Sequence, residues 1–302
     1  MAHQSNPGKE DYTTLHRHAT RLSQLLNRPV KYVDTLLGSS AKQAIESMHD
    51  GDVIILENTR FYAEEVKLKG KPIEVLEKSH LVNFLAPLFD FYVNDAFAAA
   101  HRAQPTLTGF TNRLTCVAGR LMERELVMLK TAMENPSRPS VAILGGAKVD
   151  DSIDVMEHLI KNKKMDRVLT GGVVAEMFLL AQGYELGKLS MDYIEKEIEN
   201  WEEMVKKAKA LLEQYPESIG VPTDIAVNLN GARHGDHVSQ LPLDGPIMDI
   251  GLDTFISYSN EIRNAKNVLL NGPMGVFEIP DFAHGTMEVF KAVGDSSGFT
   301  VI

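Results

Sequence analysis

Two arginines in the first half of the chain are placed as ligands of an anion would be. Arg60 ends the segment Glu57-Asn58-Thr59-Arg60 after an apolar stretch, and Arg102 follows another such stretch beside His101. A guanidinium group presents forked donors that match phosphate and carboxylate oxygens. The alternative for each arginine is an ordinary surface ion pair. Because both follow predicted strands, with His101 and His3 as further polar candidates, we favour a site for a small anion.

A glycine-rich segment in the second half predicts a phosphate loop. Gly145-Gly146-Ala147-Lys148 lies between a predicted strand and a predicted helix, where glycine amides and the helix N-terminus could approach an anion. The segment is not a Walker A loop, and the chain has no GxGxxG motif for a dinucleotide. A tight strand-to-helix turn is the alternative. Gly171-Gly172 has the same setting and is a weaker candidate.

The segment Asn271 to Glu278 is the most specific of these patterns. Pro273 restricts φ, while Gly272 and Gly275 allow another backbone or a ligand to come close. Glu278 could accept hydrogen bonds from ribose hydroxyl groups. The alternative is an ordinary turn with a solvated glutamate.

The elements that must position these residues alternate between strand and helix. Apolar periodicity predicts helices at 11–27, 40–48, 73–88, 119–134 and 191–214. Short apolar runs predict strands at 30–33, 53–56, 89–93, 141–144, 167–170, 224–227, 247–250, 268–270 and 299–302. This alternation predicts a parallel α/β sheet in each half, with ligands beyond the carboxyl ends of the strands. The proline-rich segment 135–139 marks the domain boundary, with helix 119–134 as the connector.

Composition excludes several classes of protein. A length of 302 residues suggests two domains, and 31 basic against 41 acidic residues give a net charge of −10 that disfavours nucleic acid and anionic membranes as partners. The single cysteine, Cys116, excludes an intrachain disulfide framework, and the histidines have no metal-ligand spacing. Polar residues interrupt the longest apolar stretch, at 81–100, and the N-terminus lacks a signal-like apolar run. We therefore expect a cytoplasmic protein.

The predicted secondary structure is incomplete at both ends of the chain. The predicted strand 299–302 has no loop after it, although the other strand ends carry polar or glycine-rich loops. The segment from His3 to Lys9 has the character of a strand-to-helix loop, yet only two residues precede it. We expect that structure is missing on both sides.

Several segments together resemble phosphoglycerate kinase, in the order in which that family has them. They are ILENTRF at 55–61, VNDAF at 93–97, AHR at 100–102, AGRLME at 118–123, ILGGAKV at 143–149 and NGPMGVFE at 271–278. The resemblance spans the chain and implies an α/β fold of two Rossmann-like parallel-sheet lobes joined by a helix, incomplete at both termini. It implies a phosphoglycerate-binding lobe at 1–118, a connecting helix at 119–135 and a nucleotide-binding lobe at 136–302, with closure about a hinge.

The activity implied is reversible phosphoryl transfer, in glycolysis and gluconeogenesis, between 1,3-bisphosphoglycerate with ADP and 3-phosphoglycerate with ATP, using Mg²⁺ with the nucleotide. The phosphoglycerate ligands implied are His3, Gln4, Ser5, Asn6, Arg60 and Arg102. The nucleotide ligands implied are Gly145, Gly146, Ala147, Lys148, Gly171, Gly172, Gly251, Asn271, Gly272, Pro273, Val276 and Glu278. No metal ligand in the chain is implied.

The chain also departs from the family's pattern. Asn6 stands where the family usually has arginine, and Ser152 stands where many members have a second lysine, as in the archaeal branch. The resemblance places the family's catalytic arginine before residue 1 and its Gly-Gly-Gly-Asp-Thr loop after residue 302, so no catalytic residue is assigned. We therefore expect this chain by itself to be a weak or inactive kinase. A fragment that binds substrate without catalysis is therefore the alternative function. An NAD-linked dehydrogenase, a third hypothesis, conflicts with the absent GxGxxG motif.

Overall fold

The backbone divides within one helix into two units, Met1–Leu126 and Val127–Ile302. The computed structural model describes all residues from 1 to 302. None of its helices has the length and apolar character needed to cross a bilayer.

The first unit holds two separate pairs of parallel strands. Strand β1 (Lys31–Val33) pairs with β2 (Ile54–Leu56), and β3 (Phe91–Asn94) pairs with β4 (Thr115–Ala118). The helices are α1 (His16–Leu26), α2 (Ser39–Glu46), α3 (Ala63–Lys67), α4 (Ile73–Leu76), α5 (His80–Leu85), α6 (Pro105–Thr108) and α7 (Arg120–Met133). Short 3₁₀ turns cover Thr59–Phe61, Ala86–Leu88 and Phe97–Ala99. The expected single sheet of this half is thus present as two pieces.

The second unit is built on a five-stranded parallel sheet in the order β12-β11-β5-β6-β7. Its strands are β5 (Ser140–Leu144), β6 (Arg167–Thr170), β7 (Ile219–Gly220), β11 (Asn267–Asn271) and β12 (Phe299–Val301). Its helices are α8 (Val149–Lys161), α9 (Gly172–Ala181), α10 (Lys188–Glu197), α11 (Trp201–Gln214), α12 (Leu252–Asn264) and α13 (His284–Asp295).

The central strand β5 shows why this sheet is covered on both faces. All five of its residues are buried, and alternate side chains enter two different cores. Ala142 and Leu144 pack in the core of α8, α9 and α11, while Val141 and Ile143 pack in the core of α12 and α13. A continuous apolar run is what a strand buried on both faces requires.

A smaller antiparallel sheet was not expected. It has the order β10-β8-β9, with β8 (Asp224–Leu229), β9 (Ala232–His237) and β10 (Ile247–Ile250). The expectation that 224–227 and 247–250 are parallel strands is therefore wrong. The sequence did carry the signal, because Asn230-Gly231 joins β8 to β9 with φ of 55° and 87°, and Asn-Gly is a strong hairpin turn.

Two predicted helices are broken. The segment 73–88 restarts at α5, where Ser79 Oγ accepts a hydrogen bond from the Val82 amide at 3.3 Å and the Glu64 carboxylate accepts from His80 and Leu81, each at 3.0 Å. Those acceptors replace the helical partners that the first amides of a helix lack.

The segment 191–214 breaks between α10 and α11. Ile198 takes an extended conformation, with φ of −122° and ψ of 98°. The apolar residues Ile194, Ile198, Trp201 and Val205 keep the spacing of three and four residues of a continuous helix across this break. Periodicity alone therefore could not reveal the break.

Candidate functional site

The loop after β2 is tied to the N-terminal segment by Asn58. Its Oδ1 accepts from the amides of Gln4 (3.0 Å) and Arg60 (3.1 Å), and its Nδ2 donates to the Gln4 carbonyl at 3.0 Å. Arg60 is 7 % exposed, and its Nη1 donates to Asn6 Oδ1 at 2.5 Å. The structure therefore brings Gln4, Asn6 and Arg60 together, although more than fifty residues separate them.

This cluster contains polar atoms that nothing in the chain satisfies. Gln4 Oε1, Thr59 Oγ1 and Arg60 Nε are buried without a hydrogen-bond partner. Only two other fully buried side-chain atoms share that condition, Gln104 Oε1 and Ser259 Oγ. A buried polar group left unpaired costs about 1–3 kcal/mol, so this concentration marks a place where a bound water, an ion or a functional role must account for the cost.

Arg102 makes no hydrogen bond to the Arg60 cluster. It is half-buried, and its Nε donates to His101 Nε2 at 3.3 Å. The loop that follows it is tied to Glu65, whose carbonyl accepts from Gln104 Nε2 at 2.7 Å. The Glu65 carboxylate also lies 3.8 Å from His3 Nδ1. Glu65 thus connects the segment after Arg102 to the N-terminal residues.

Ser5 has a local role in the same segment. Its Oγ donates to Asp11 Oδ1 at 2.5 Å, and its backbone takes a positive φ of 58°. This bond closes the loop that presents Gln4 and Asn6.

In the second unit, glycines allow the loops after β5, β6 and β11 to pack against one another. A Cβ at Gly145 would lie 2.1 Å from the Pro273 carbonyl oxygen, and one at Gly171 would lie 2.5 Å from Met274 Sδ. Gly172 has φ of +55°, and a Cβ there would lie 2.7 Å from the Gly146 amide nitrogen. Side chains at these positions would separate the loops.

The same packing uses the glycine amides. Gly145 N donates to the Asn271 carbonyl at 2.9 Å, and Gly146 N donates to the Pro273 carbonyl at 2.8 Å. Gly172 N donates to the Met274 carbonyl at 2.8 Å. These three amides therefore already have acceptors within the chain, and the phosphate loop at 145–148 stays a prediction. The amides without a backbone acceptor are those of Ala147, Lys148 and the first turn of α8.

A cavity of about 700 Å³ opens beside these loops. Apolar side chains, including Ile225, Met248 and Met274, form most of its wall. Six of the predicted nucleotide ligands line it: Gly146, Ala147, Gly172, Pro273, Val276 and Glu278. The other six do not: Gly145, Lys148, Gly171, Gly251, Asn271 and Gly272.

At Gly251 the absence of a side chain makes room for the Asp224 carboxylate rather than for a neighbouring loop. A Cβ there would lie 2.2 Å from the Asp224 carboxylate, which accepts from the amides of Asp253 (2.9 Å) and Thr254 (2.8 Å). Asp224 thus caps α12, and Gly251 leaves room for it.

Two acidic residues of the cavity wall were missed. Asp249 is buried, and its Oδ2 accepts from Arg233 Nη1 at 2.8 Å and from the Gly285 amide at 2.9 Å. Burial raises the pKa of Asp249, although Arg233 and the amides oppose the shift. Glu176 is buried on α9, and burial raises its pKa to about 8. A signal for Glu176 was available, because it is the only charged residue between Gly172 and Ala181.

Comparison with known proteins decides the family. The family model described as phosphoglycerate kinase matches residues 1–302. This chain belongs to the phosphoglycerate kinase family.

Relatives with that name support the assignment over the full chain. The phosphoglycerate kinase of Methanothermobacter thermautotrophicus is 50% identical over 302 residues, which are 100% of this chain and 72% of that protein. The phosphoglycerate kinase of Thermoplasma acidophilum is 46% identical, over 99% of this chain and 72% of that protein. This family member thus spans roughly three-quarters of the length of these relatives.

A solved structure agrees. The crystal structure of phosphoglycerate kinase from Pyrococcus horikoshii OT3 has a TM-score of 0.84 and 42% identity, covering 98% of this chain and 73% of that one. The α/β phosphoglycerate kinase fold implied by the sequence motifs is thereby confirmed, with the sheet corrections described above.

Proposed function

We propose that this protein transfers a phosphoryl group reversibly between 1,3-bisphosphoglycerate with ADP and 3-phosphoglycerate with ATP, the step of glycolysis and gluconeogenesis performed by its family. Membership of that family makes it an ATP-dependent phosphotransferase with a carboxylate acceptor. The observation that carries the substrate assignment is the set of unpartnered buried groups around Arg60. We keep residues 1–118 as the phosphoglycerate lobe, 119–135 as the connecting helix and 136–302 as the nucleotide lobe.

Phosphoglycerate binding is assigned to the Arg60 cluster. Arg60 Nε is an unused buried donor, while its Nη1 already holds Asn6. A phosphate or carboxylate oxygen would satisfy that nitrogen and the Thr59 hydroxyl. Arg102, His3, Gln4 and Ser5 complete the proposed set, with Arg102 as a second cation.

The nucleotide is assigned to the cavity of the second unit. Its apolar wall suits a purine ring, and the exposed Glu278 carboxylate at its edge suits ribose hydroxyl groups. The free amides of Ala147 and Lys148, the start of helix α8 and the exposed Lys148 ammonium suit the phosphates.

The proposed chemistry needs little covalent help from the protein. The acceptor carboxylate is already an anion, so no general base is assigned. Positioning and neutralisation of phosphate charge carry the rate in such transfers.

The chain has no cluster of three or more histidine, cysteine or acidic side chains suited to a metal. Mg²⁺ is proposed to enter with the nucleotide substrate, because Mg²⁺ usually keeps several waters and binds substrate phosphates in such sites. Both substrates are small soluble metabolites, which supports a cytoplasmic location.

A binding and turnover experiment tests this proposal. Calorimetric titration with 3-phosphoglycerate and with Mg-ADP is expected to show one site for each, and a coupled assay with ATP and 3-phosphoglycerate is expected to show turnover. Binding of both ligands without turnover would favour the binding-only alternative. Failure to bind either ligand would overturn the proposed function.

A further inference from the structure

Glu176 is a buried carboxyl group without a partner in the chain. It is the fifth residue of α9, it is 6 % exposed, and it lines the large cavity of the second unit. Desolvation alone accounts for its altered pKa, with no contribution from a hydrogen bond or a nearby charge. Ala175 and Leu179 flank it on α9 in the same cavity wall, and both are apolar, as is Ile225 elsewhere in that wall.

The other polar side chains of this wall are either satisfied or exposed. Asp249 is paired with Arg233, and Ser190 Oγ accepts from the Ile247 amide at 2.9 Å. Tyr193 and Glu278 are exposed. Glu176 is thus the one buried polar side chain of the cavity that lacks an internal partner.

The position of Glu176 favours contact with the base of a nucleotide rather than its phosphates. A carboxyl group would repel a phosphate when ionised, and its apolar neighbours match a planar ring. Burial raises its pKa to about 8, so at neutral pH the group carries one O–H donor and one carbonyl acceptor. Adenine presents the complementary pair, an N6 amino donor next to a ring-nitrogen acceptor.

We propose that Glu176 recognises the adenine ring, accepting a hydrogen bond from the N6 amino group and donating one to the adjacent ring nitrogen. This inference rests on the proposed nucleotide site in the same cavity. A buried carboxyl group without a partner is costly in the free protein, and adenine would remove that cost on binding. Glu176 therefore acts as a specificity residue, separate from the groups assigned to ribose and phosphate.

The test compares two ligands that differ at one group. ADP and purine riboside 5′-diphosphate, which lacks the N6 amino group, are titrated at pH 7 into wild type, Glu176→Gln, Glu176→Met and the control Glu185→Met. Glu185 is exposed and lies outside this cavity. Glutamine keeps one donor and one acceptor, whereas methionine keeps only the volume.

Wild type, Glu176→Gln and Glu185→Met are expected to prefer ADP by roughly three- to tenfold, as one lost hydrogen bond implies. Glu176→Met is expected to bind both ligands equally. A wild-type protein that binds both ligands equally, or a Glu176→Met protein that keeps the wild-type ratio, would overturn the role of Glu176 while leaving the proposed function intact. If ADP does not bind to wild type, the proposed function itself fails. If Glu176→Met does not fold, the ratio of the wild-type affinities for ADP and purine riboside 5′-diphosphate still tests the role of Glu176.

Discussion

At the scale of single residues, the two proposed arginine ligands differ in how far the fold prepares them. Arg60 is buried and already bonded to Asn6, whereas Arg102 is half-buried and bonded only to His101. Replacing Arg60 would therefore disturb the packing of the N-terminal segment as well as the site. Arg102 allows a cleaner test of substrate binding.

Arg102→Ala is expected to weaken 3-phosphoglycerate binding by about 1.5–3 kcal/mol, the usual value of a hydrogen bond to a charged group, or roughly 10- to 150-fold. Arg113→Ala is the control, because Arg113 is an exposed arginine of the same unit that bonds Asn83 Oδ1 at 2.8 Å. Calorimetry of both variants measures the difference. Wild-type affinity in Arg102→Ala would remove Arg102 from the site.

Glu176 is expected to make stability depend on pH. Its pKa is raised from 4.5 to about 8 in the folded protein, so between these values the folded state holds a proton that the unfolded state has released. The free energy of unfolding therefore falls as the pH rises from 4.5 to 8, with a slope approaching about 1.4 kcal/mol per pH unit from this group, and levels off above.

Glu176→Gln removes that contribution, since glutamine does not titrate in this range. Urea unfolding of wild type and variant at several pH values from 4.5 to 9 measures it. The stability gained by the variant is expected to grow up to about pH 8. A difference between the two proteins that does not change with pH would contradict burial as the cause of the shift.

At the scale of elements, the strand-end loops of the second unit depend on glycine for their mutual packing. Gly172 has a positive φ, and a Cβ added there would lie only 2.7 Å from a backbone atom of the neighbouring loop. Gly183 has φ of +92°, and a Cβ there would meet nothing within 4 Å. Substitutions at these two glycines both introduce backbone strain, but only the one at Gly172 also disturbs the packing of the loops. Comparing them therefore distinguishes the two effects.

Gly183→Ala is expected to cost only the strain of a left-handed alanine, about 1 kcal/mol, and to leave ADP affinity unchanged. Gly172→Ala is expected to cost more and to weaken ADP binding, because the loop carrying Gly146 must move. Thermal unfolding and ADP titration of both variants provide the measurement. Equal effects of the two substitutions would show that loop contact at Gly172 is unimportant.

At the scale of the whole molecule, each unit is assigned one substrate. ADP is expected to slow amide hydrogen exchange in segments of Val127–Ile302, chiefly around Gly146, Gly172 and Val276. In separate samples, 3-phosphoglycerate is expected to slow exchange near Gln4 and Arg60, because a ligand stabilises the structure that binds it. Exchange measured by mass spectrometry with each ligand alone tests the assignment. Protection of the first unit by ADP, without protection of the second, would reverse it.

The parts of the fold that sequence predicted are those governed by local patterns. Buried strands such as Arg167–Thr170 and the apolar face of α1 follow from periodicity along a short stretch of chain. Helix breaks were missed where the stop depends on a distant partner, as Glu64 does for α5. The Asn230-Gly231 hairpin is a local signal that could have been used.

The sequence by itself determined the family, the alternation of strand and helix, and which residue types stand at the strand ends, because these depend on residue identity and order. Only the tertiary structure decided what those residues do. It engages the Gly145 and Gly146 amides with neighbouring loops, places Gly251 against Asp224, and leaves Arg60 Nε and Glu176 buried without partners. Whether a polar group is satisfied depends on atoms distant in the chain, and only the folded packing brings those atoms together.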